Sequence, residues 1–443
     1  MKHSYKLGAV SICLAVVLAA CSQGGTDSAK EGVKKSENES AAPVVTEKAN
    51  LDVFVMNSIT DDEIKRLWVD PLSKKYPHIT LTISRVASGG AGLSKELAGG
   101  HKPDLIFYNP YMQDLLEIDI PLDLRELMKK HKISLAGFDK QITDAIQGFG
   151  PKGEVYAIPF VQNAFLTLYN KSLFDKFGQA YPKDGMTWAD AIEVTKKMSR
   201  SDNGIQYRGI EPLVIGGIHR LAFPMSIKYM DAAQNKAYID PKWKSLFQLA
   251  MDIYAIPNNR PEKLGDPAND FFKNQTLAMW PGYTTHVMNQ LKALTTMEWD
   301  MVQYPSFPDY PNLAIMTDFN NFIISKTSKY PDQAMQAISV FVSDQVQADS
   351  ARTGRIPAAS SKVDLTKEFA ADVAVLKGKN LPAIFKSKSA PFAPSHEYDL
   401  HVRNEILNAF SSVFAGTADI NTALRAAEEK ANQKIAEEMQ KKK

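Results

Sequence analysis

The side chains best placed to do chemistry in this sequence are neutral polar groups and aromatic rings, not a nucleophile with its base. Asn57, Tyr108, Asn109 and Asn163 offer amide and phenol donors and acceptors, the groups that a hydroxyl-rich ligand requires. A turn or capping role is equally open to each of them. Trp280 and Tyr283 follow the apolar run Leu277-Ala278-Met279, with Pro281-Gly282 turning the chain between them. An aromatic face suits the C–H side of a sugar ring while its polar edge can hydrogen-bond; the competing reading makes both rings core residues. His396-Glu397 with His401 invites a zinc assignment. That motif needs histidines four apart on one helical face, and a spacing of five rotates them onto different faces. They read instead as solvent-side residues of a helix capped by Ser395. The chain has no phosphate loop, no Gly-x-Gly-x-x-Gly and no Gly-x-Ser-x-Gly. No catalytic residue, cofactor or metal ligand is expected. An exported glycoside-processing enzyme stays as an alternative, since its paired carboxylates carry no fixed local spacing.

The elements that must position these groups alternate strand and helix. Leu51, Val53 and Val55 mark a first strand. Thr60-Asp61-Asp62-Glu63 is a capping-box pattern, and Ile64, Leu67, Trp68 and Leu72 recur behind it at helical spacing. Ile79 to Ile83 alternates as a second strand, and Leu105-Ile106-Phe107-Tyr108 reads as a third, buried on both faces. Strand, helix, strand, helix, strand predicts an α/β protein with a mainly parallel sheet. Ligands in such sheets gather beyond the carboxyl ends of the strands, where Asn57, Tyr108 and Asn109 fall. Near the end of the chain, Leu424, Ala427, Ala431, Ile435 and Met439 form a narrow apolar stripe on one amphipathic helix. That stripe packs on its own domain or, in a purely structural protein, on a partner.

The opening residues carry a different signal. Lys2 and Lys6 precede the apolar run Leu7 to Ala20, which is shorter than the roughly 20 residues a bilayer-spanning helix needs. Leu18-Ala19-Ala20-Cys21 then resembles the bacterial lipobox, and this resemblance implies a diacylglycerol thioether on Cys21 once residues 1–20 are removed. The plainer alternative makes Cys21 an incidental small residue beside a cleavage site. Cys13 leaves with the signal, so no internal disulfide is expected. Residues 21–50 are poor in large apolar side chains and read as a lipidated, flexible tether. The rest of the 443 residues exceeds what one core usually organises. With 52 lysines and arginines against 50 aspartates and glutamates, the charge balance points to no nucleic acid.

Several fragments in order resemble one family. They are Pro103-Asp104-Leu105-Ile106, Tyr156-Ala157-Ile158-Pro159, Leu168-Tyr169-Asn170-Lys171, Thr187-Trp188-Ala189-Asp190, Phe272 to Met279, and Tyr304-Pro305 before Phe307-Pro308. Together, behind a lipobox and a tether, they resemble the extracellular solute-binding proteins of ABC importers, of the maltose-binding type. The resemblance implies a type II periplasmic-binding-protein-like fold. Its first lobe would hold 51–159 and 320–353, its second 160–318 and 357–443, joined by hinge segments that let the lobes close on a ligand. It raises Trp280 and Tyr283 to ligand contacts, and adds Phe160 at the first crossing and Phe319 and Asn320 at another. Arg355 becomes a candidate hinge salt-bridge residue. The implied protein is a monomer, held by lipid on the outer face of the cell membrane, that serves ABC membrane subunits. Its expected ligand is a carbohydrate or oligosaccharide. Where the family has glycines and a tryptophan, this chain has Asp318, Phe319 and Asn320, so a peptide or other non-sugar solute stays open.

Overall fold

The computed structural model describes residues 45–150, 152–214, 217–359, 363–393 and 396–441. The expected signal, Cys21, most of the tether and Ser395 lie outside the described residues. Ala49 and Asn50, expected in the tether, already belong to the first strand.

Strands β1 (Ala49–Val55), β2 (Ile79–Arg85) and β3 (Leu105–Tyr108) run parallel with β1 in the middle. The capping box forms as predicted: Glu63 N donates to Thr60 Oγ1, and Thr60 N donates to the Glu63 carboxylate. It opens the helix Asp61–Ile64, which continues through a π-helical turn, Lys65–Val69, into Asp70–Lys75. After β4 (Ile158–Gln162) the chain crosses into a second sheet. That sheet draws on β5 (Phe165–Asn170), β6 (Arg200–Asp202) and β7 (Ile205–Ile210). A two-stranded pair, β8 (Met230–Asp231) and β9 (Lys236–Ala237), precedes its remaining strands, β10 (Leu277–Tyr283) and β11 (Trp299–Gln303). Beyond β12 (Leu313–Met316) the chain returns to the first sheet as β13 (Phe319–Ile324) and β14 (Ile356–Pro357). Finally β15 (Lys388–Ala390) pairs with β12.

The first sheet has the order β14-β4-β13-β3-β1-β2 and the second β11-β5-β10-β7-β6. Both are mixed, which corrects the expectation of mainly parallel sheets. β13 is antiparallel to β3 and to β4, β14 is antiparallel to β4, and in the second sheet β7–β10 is the parallel pair. The reason is the route of the chain. A parallel neighbour needs a crossover back to the starting end, whereas β13 enters the sheet at the end where β3 and β4 leave it. The expected boundaries shift for the same reason. β4 keeps residues 160–162 in the first sheet, so the first crossing falls at Asn163–Ala164. Phe319 opens β13, and Pro357 still belongs to β14.

Strand alternation gives each sheet two buried faces. Leu105 and Phe107 of β3 join Trp68, Phe160, Phe322 and Phe341 on one side, while Ile106 and Tyr108 join Phe54, Ile142 and Ile323 on the other. In the second sheet Phe165 and Tyr169 face one core, and Leu166 and Leu168 face another. The helix Ile420–Lys441 buries Ala423, Leu424, Ala427, Ala431 and Ile435 in the core that also holds Val402, Ile406 and Phe410. Its apolar stripe therefore packs on its own domain.

Where the chain passes from the helix Asp344–Arg352 into β14, Gly354 has φ +86°. A Cβ there would collide with Met288 Sδ, and the left-handed backbone is itself costly for any residue with a Cβ. Gly354→Ala is expected to lower the unfolding free energy by about 1–3 kcal/mol in urea titrations. Wild-type stability would mean that Met288 gives way and the backbone relaxes.

Candidate functional site

A cavity of about 580 Å³ lies where strand ends of the two sheets meet, a size within the ~300–1,000 Å³ usual for small-molecule sites. From the first sheet come Asn57 after β1, Gly89 and Gly90 after β2, Tyr108 and Asn109 at the end of β3, and Asn163 after β4. Tyr283 at the end of β10, Asp318 before β13, and His219, Arg220, Tyr229 and His286 add to the lining, with Asp399 and Arg403 of the helix Asp399–Phe414.

Asn57, Tyr108, Asn109, Asn163 and Tyr283 are thus brought together at this cavity. Asn320 stands one layer behind, accepting at Oδ1 from Asn57 Nδ2 at 2.5 Å, so it orients the amide in front of it. Phe160, Phe319 and Trp280 are placed elsewhere, which corrects their assignment as lining residues. Phe160 packs 6.1 Å from both Trp68 and Phe107, and Phe319 is wholly buried in the core that holds Ile106 and Ile323. Trp280 lies against Phe271 and Phe272, with ring centroids 6.0 and 4.9 Å away. The physical reason is parity: side chains an odd number of residues apart on a strand point to opposite faces. Tyr283 facing the cavity therefore turns Trp280 away from it. Trp280 still touches the site indirectly, stacked 6.1 Å from His286.

Sequence reasoning missed most of the charged groups. Asp114 accepts at Oδ2 from Tyr108 Oη at 2.7 Å and from Gly90 N at 2.6 Å, yet its Oδ1 is buried without a partner among the described residues. Burial raises the Asp114 carboxyl above its ordinary range despite those two donors. Asp318 is pushed up to about 6 by burial, against the hydrogen bond from Asn163 Nδ2 at 2.6 Å and the charge of Arg220. Asp399 is pushed up to about 7 by burial, against a backbone donor from His396 and the charge of Arg403. Burial also takes His286 down to about 4 and His219 well below its ordinary value, so both imidazoles are neutral at pH 7. The Arg220 guanidinium donates to the Val214 carbonyl at 2.9 Å and lies 5.8 Å from the Tyr283 ring centre. Arg403 lies 5.2 Å from the Tyr111 ring centre.

Orphaned polar atoms define what the cavity can hold. Among the described residues, Asp114 Oδ1, Asn163 Oδ1 and Asp399 Oδ1 are buried acceptors without partners, and Arg220 Nε is a buried donor in the same condition. An unpaired buried polar group costs about 1–3 kcal/mol, so these atoms favour a guest rich in donors that can also accept. Among the described residues no group of three or more His, Cys, Asp or Glu could hold a metal ion.

Two sheet-and-helix halves linked by crossing segments, with a polar cavity at their strand ends, are the architecture of a two-lobed solute-binding protein. The chain belongs to the bacterial extracellular solute-binding protein family, which it matches over residues 68–377. A mannitol-binding protein of Pseudomonas aeruginosa is 28% identical over 146 residues, a match that spans 31% of this chain and 32% of that protein. The fold is shared with an ABC substrate-binding protein from Listeria monocytogenes in complex with cycloalternan (TM-score 0.72, 18% identity, 88% of this chain and 100% of that one). It is also shared with the maltose/maltodextrin-binding domain MalE from Bdellovibrio bacteriovorus bound to maltotriose (TM-score 0.66, 17% identity, 88% and 100%). No helix among the described residues is long and apolar enough to cross a membrane.

Proposed function

We propose that this chain is the substrate-capturing subunit of an ABC importer for a sugar or polyol. The observation that carries the reading is the set of unpaired acceptors and the unpaired Arg220 Nε among the residues around one cavity, flanked by tyrosine rings. Each hydroxyl of a polyol donates once and accepts up to twice, so a single neutral ligand can satisfy anions and cations that are held apart. The relatives bound to cycloalternan and maltotriose, and the mannitol-binding relative, support the same chemical class.

In this reading the first lobe is the six-stranded sheet with its helices, and the second is the five-stranded sheet with the C-terminal helices. Segments near Asn163, Asp318 and Gly354 are the hinge. A ligand that touches both lobes only when they close shifts the population towards the closed form. The protein acts as a monomer anchored through Cys21 on the outer face of the membrane and delivers its ligand to the importer's membrane subunits. It binds without turnover.

Thermal-shift titration tests this directly, with mannitol, maltotriose, cycloalternan, glycylglycine and L-alanine as probes. A ligand at 100 times its Kd stabilises by about 2.7 kcal/mol. A saccharide or the hexitol is expected to raise the melting temperature while the two zwitterions leave it unchanged. A shift with the zwitterions alone would overturn the reading, and release of hydrolysed sugar would place the chain among the glycoside-processing enzymes.

A further inference from the structure

Asp399 and Arg403 stand four residues apart on the helix Asp399–Phe414, both lining the cavity. That spacing puts two side chains on one helical face, about 5–6 Å apart at Cβ, where opposite charges ordinarily pair. Here they do not. Asp399 Oδ2 accepts from His396 N at 2.8 Å, and Asp399 Oδ1 is buried with no partner among the described residues. The Arg403 guanidinium is drawn over the ring of Tyr111, which reaches in from the segment after β3. Tyr111 in turn lies 6.5 Å from Phe392. An acceptor and a cationic donor are thus held apart on one wall, next to an aromatic shelf supplied from the opposite sheet.

We propose that Asp399 and Arg403 form a two-pronged grip for a pair of neighbouring hydroxyls on the ligand, with the Tyr111 ring as its floor. One hydroxyl donates to Asp399 Oδ1, and the other accepts from the Arg403 guanidinium. This rests on the sugar-or-polyol reading and sharpens it, because it names the diol as the recognised unit and the C-terminal helix as its reader. A ligand carboxylate would satisfy Arg403 and leave Asp399 unpaired; an ammonium group would do the reverse. Closure matters too, since Tyr111 belongs to the first sheet's side and Arg403 to the second's. The aromatic floor and the guanidinium meet only when the two sides are together.

The test is calorimetric titration of wild type, Asp399→Asn, Arg403→Gln and the double variant with mannitol, maltotriose and cycloalternan. Each single change is expected to raise the Kd of the best-bound probe by roughly tenfold to a hundredfold, the worth of a hydrogen bond to a charged group. The double variant should lose little more than the worse single variant, since two prongs on one diol act as a unit. The Arg403 side chain makes no hydrogen bond among the described residues, so Arg403→Gln keeps the test alive should Asp399→Asn melt early. Wild-type binding that both variants keep within twofold overturns the grip and leaves the sugar reading standing. Wild type that binds none of the three probes overturns both.

Discussion

Asp318→Asn is expected to make the ligand-free protein more stable at pH 7.5 while weakening its hold on a polyol. Burial pushes the Asp318 carboxyl from its ordinary 3.8 up to about 6. Between those values the folded state keeps a proton that the unfolded chain has released, so raising the pH favours unfolding. The wild type should lose stability from about pH 4 to pH 6 and then level off, by an amount on the order of 2–3 kcal/mol. The variant carries no charge to bury, and its amide oxygen can still accept from Asn163 Nδ2. Its stability should therefore be flat across that window, and the gap between the two proteins should be full above pH 6. The cost falls on binding, because an NH₂ group then faces the cavity where a carboxylate oxygen would accept. Loss of one charged hydrogen bond is worth about 1.5–3 kcal/mol, roughly tenfold to a hundredfold in Kd. Urea titrations from pH 4 to 8 check the first half and calorimetry the second. Parallel stability curves for the two proteins would mean that Asp318 is not strained by its burial.

Arg355→Ala should be the more damaging change to the fold. The Arg355 side chain is 2% exposed and grips Glu63 with both prongs, Nε to Oε1 at 2.7 Å and Nη2 to Oε2 at 2.8 Å. Nη1 donates to the Ser58 carbonyl at 3.1 Å, and Nη2 reaches Asn289 Oδ1 at 3.4 Å. Burial acts to raise the Glu63 carboxyl, but the hydrogen bonds and charge of Arg355, with the donors of Thr60, hold it below its ordinary 4.5. Removing the arginine strands a half-buried carboxylate at a cost on the order of 3–5 kcal/mol. The pH dependence has the opposite sign to that of Asp318. A lowered carboxyl contributes its stability above about pH 4.5 and loses it as the pH falls through the folded value. The difference between wild type and variant should be full at pH 7 and shrink below pH 4. A loss under 1 kcal/mol at neutral pH would show that the ion pair is ornamental.

Much of this architecture could be read from residue patterns, and the failures have identifiable causes. Thr60 and Glu63 announced a helix start because a capping box is local, needing only residues three apart. Leu105 to Tyr108 announces a strand buried on both faces because every position carries a large, mainly apolar side chain. Strand direction was hidden: nothing in Phe319 to Ile324 says from which end the segment enters its sheet. The site was legible where a polar residue follows a strand, as at Asn57, Asn109 and Asn163. It is misread where two aromatic residues share a turn, because the resemblance makes ligand contacts of both Trp280 and Tyr283, which cannot both face one way. Asp318 enters the sequence reading only as a departure from the family beside Phe319 and Asn320, yet of the three it is the one that lines the cavity. The histidines near residue 400 lack metal spacing, and the informative spacing there is the four-residue step from Asp399 to Arg403. That step was the available signal, but only the fold shows that the two are kept from pairing.

The position of β13 between β3 and β4 also governs when this protein can first exist. An emerging chain that has reached Gln162 holds β1 to β4, but the strand that joins β3 to β4 has yet to be made. Until Ile324 emerges, the facing edges of β3 and β4 are open templates for misjoining, and pairing over so long a stretch of chain is slow. The first sheet is complete only once β13 and then β14 have been added, so its core closes late in synthesis.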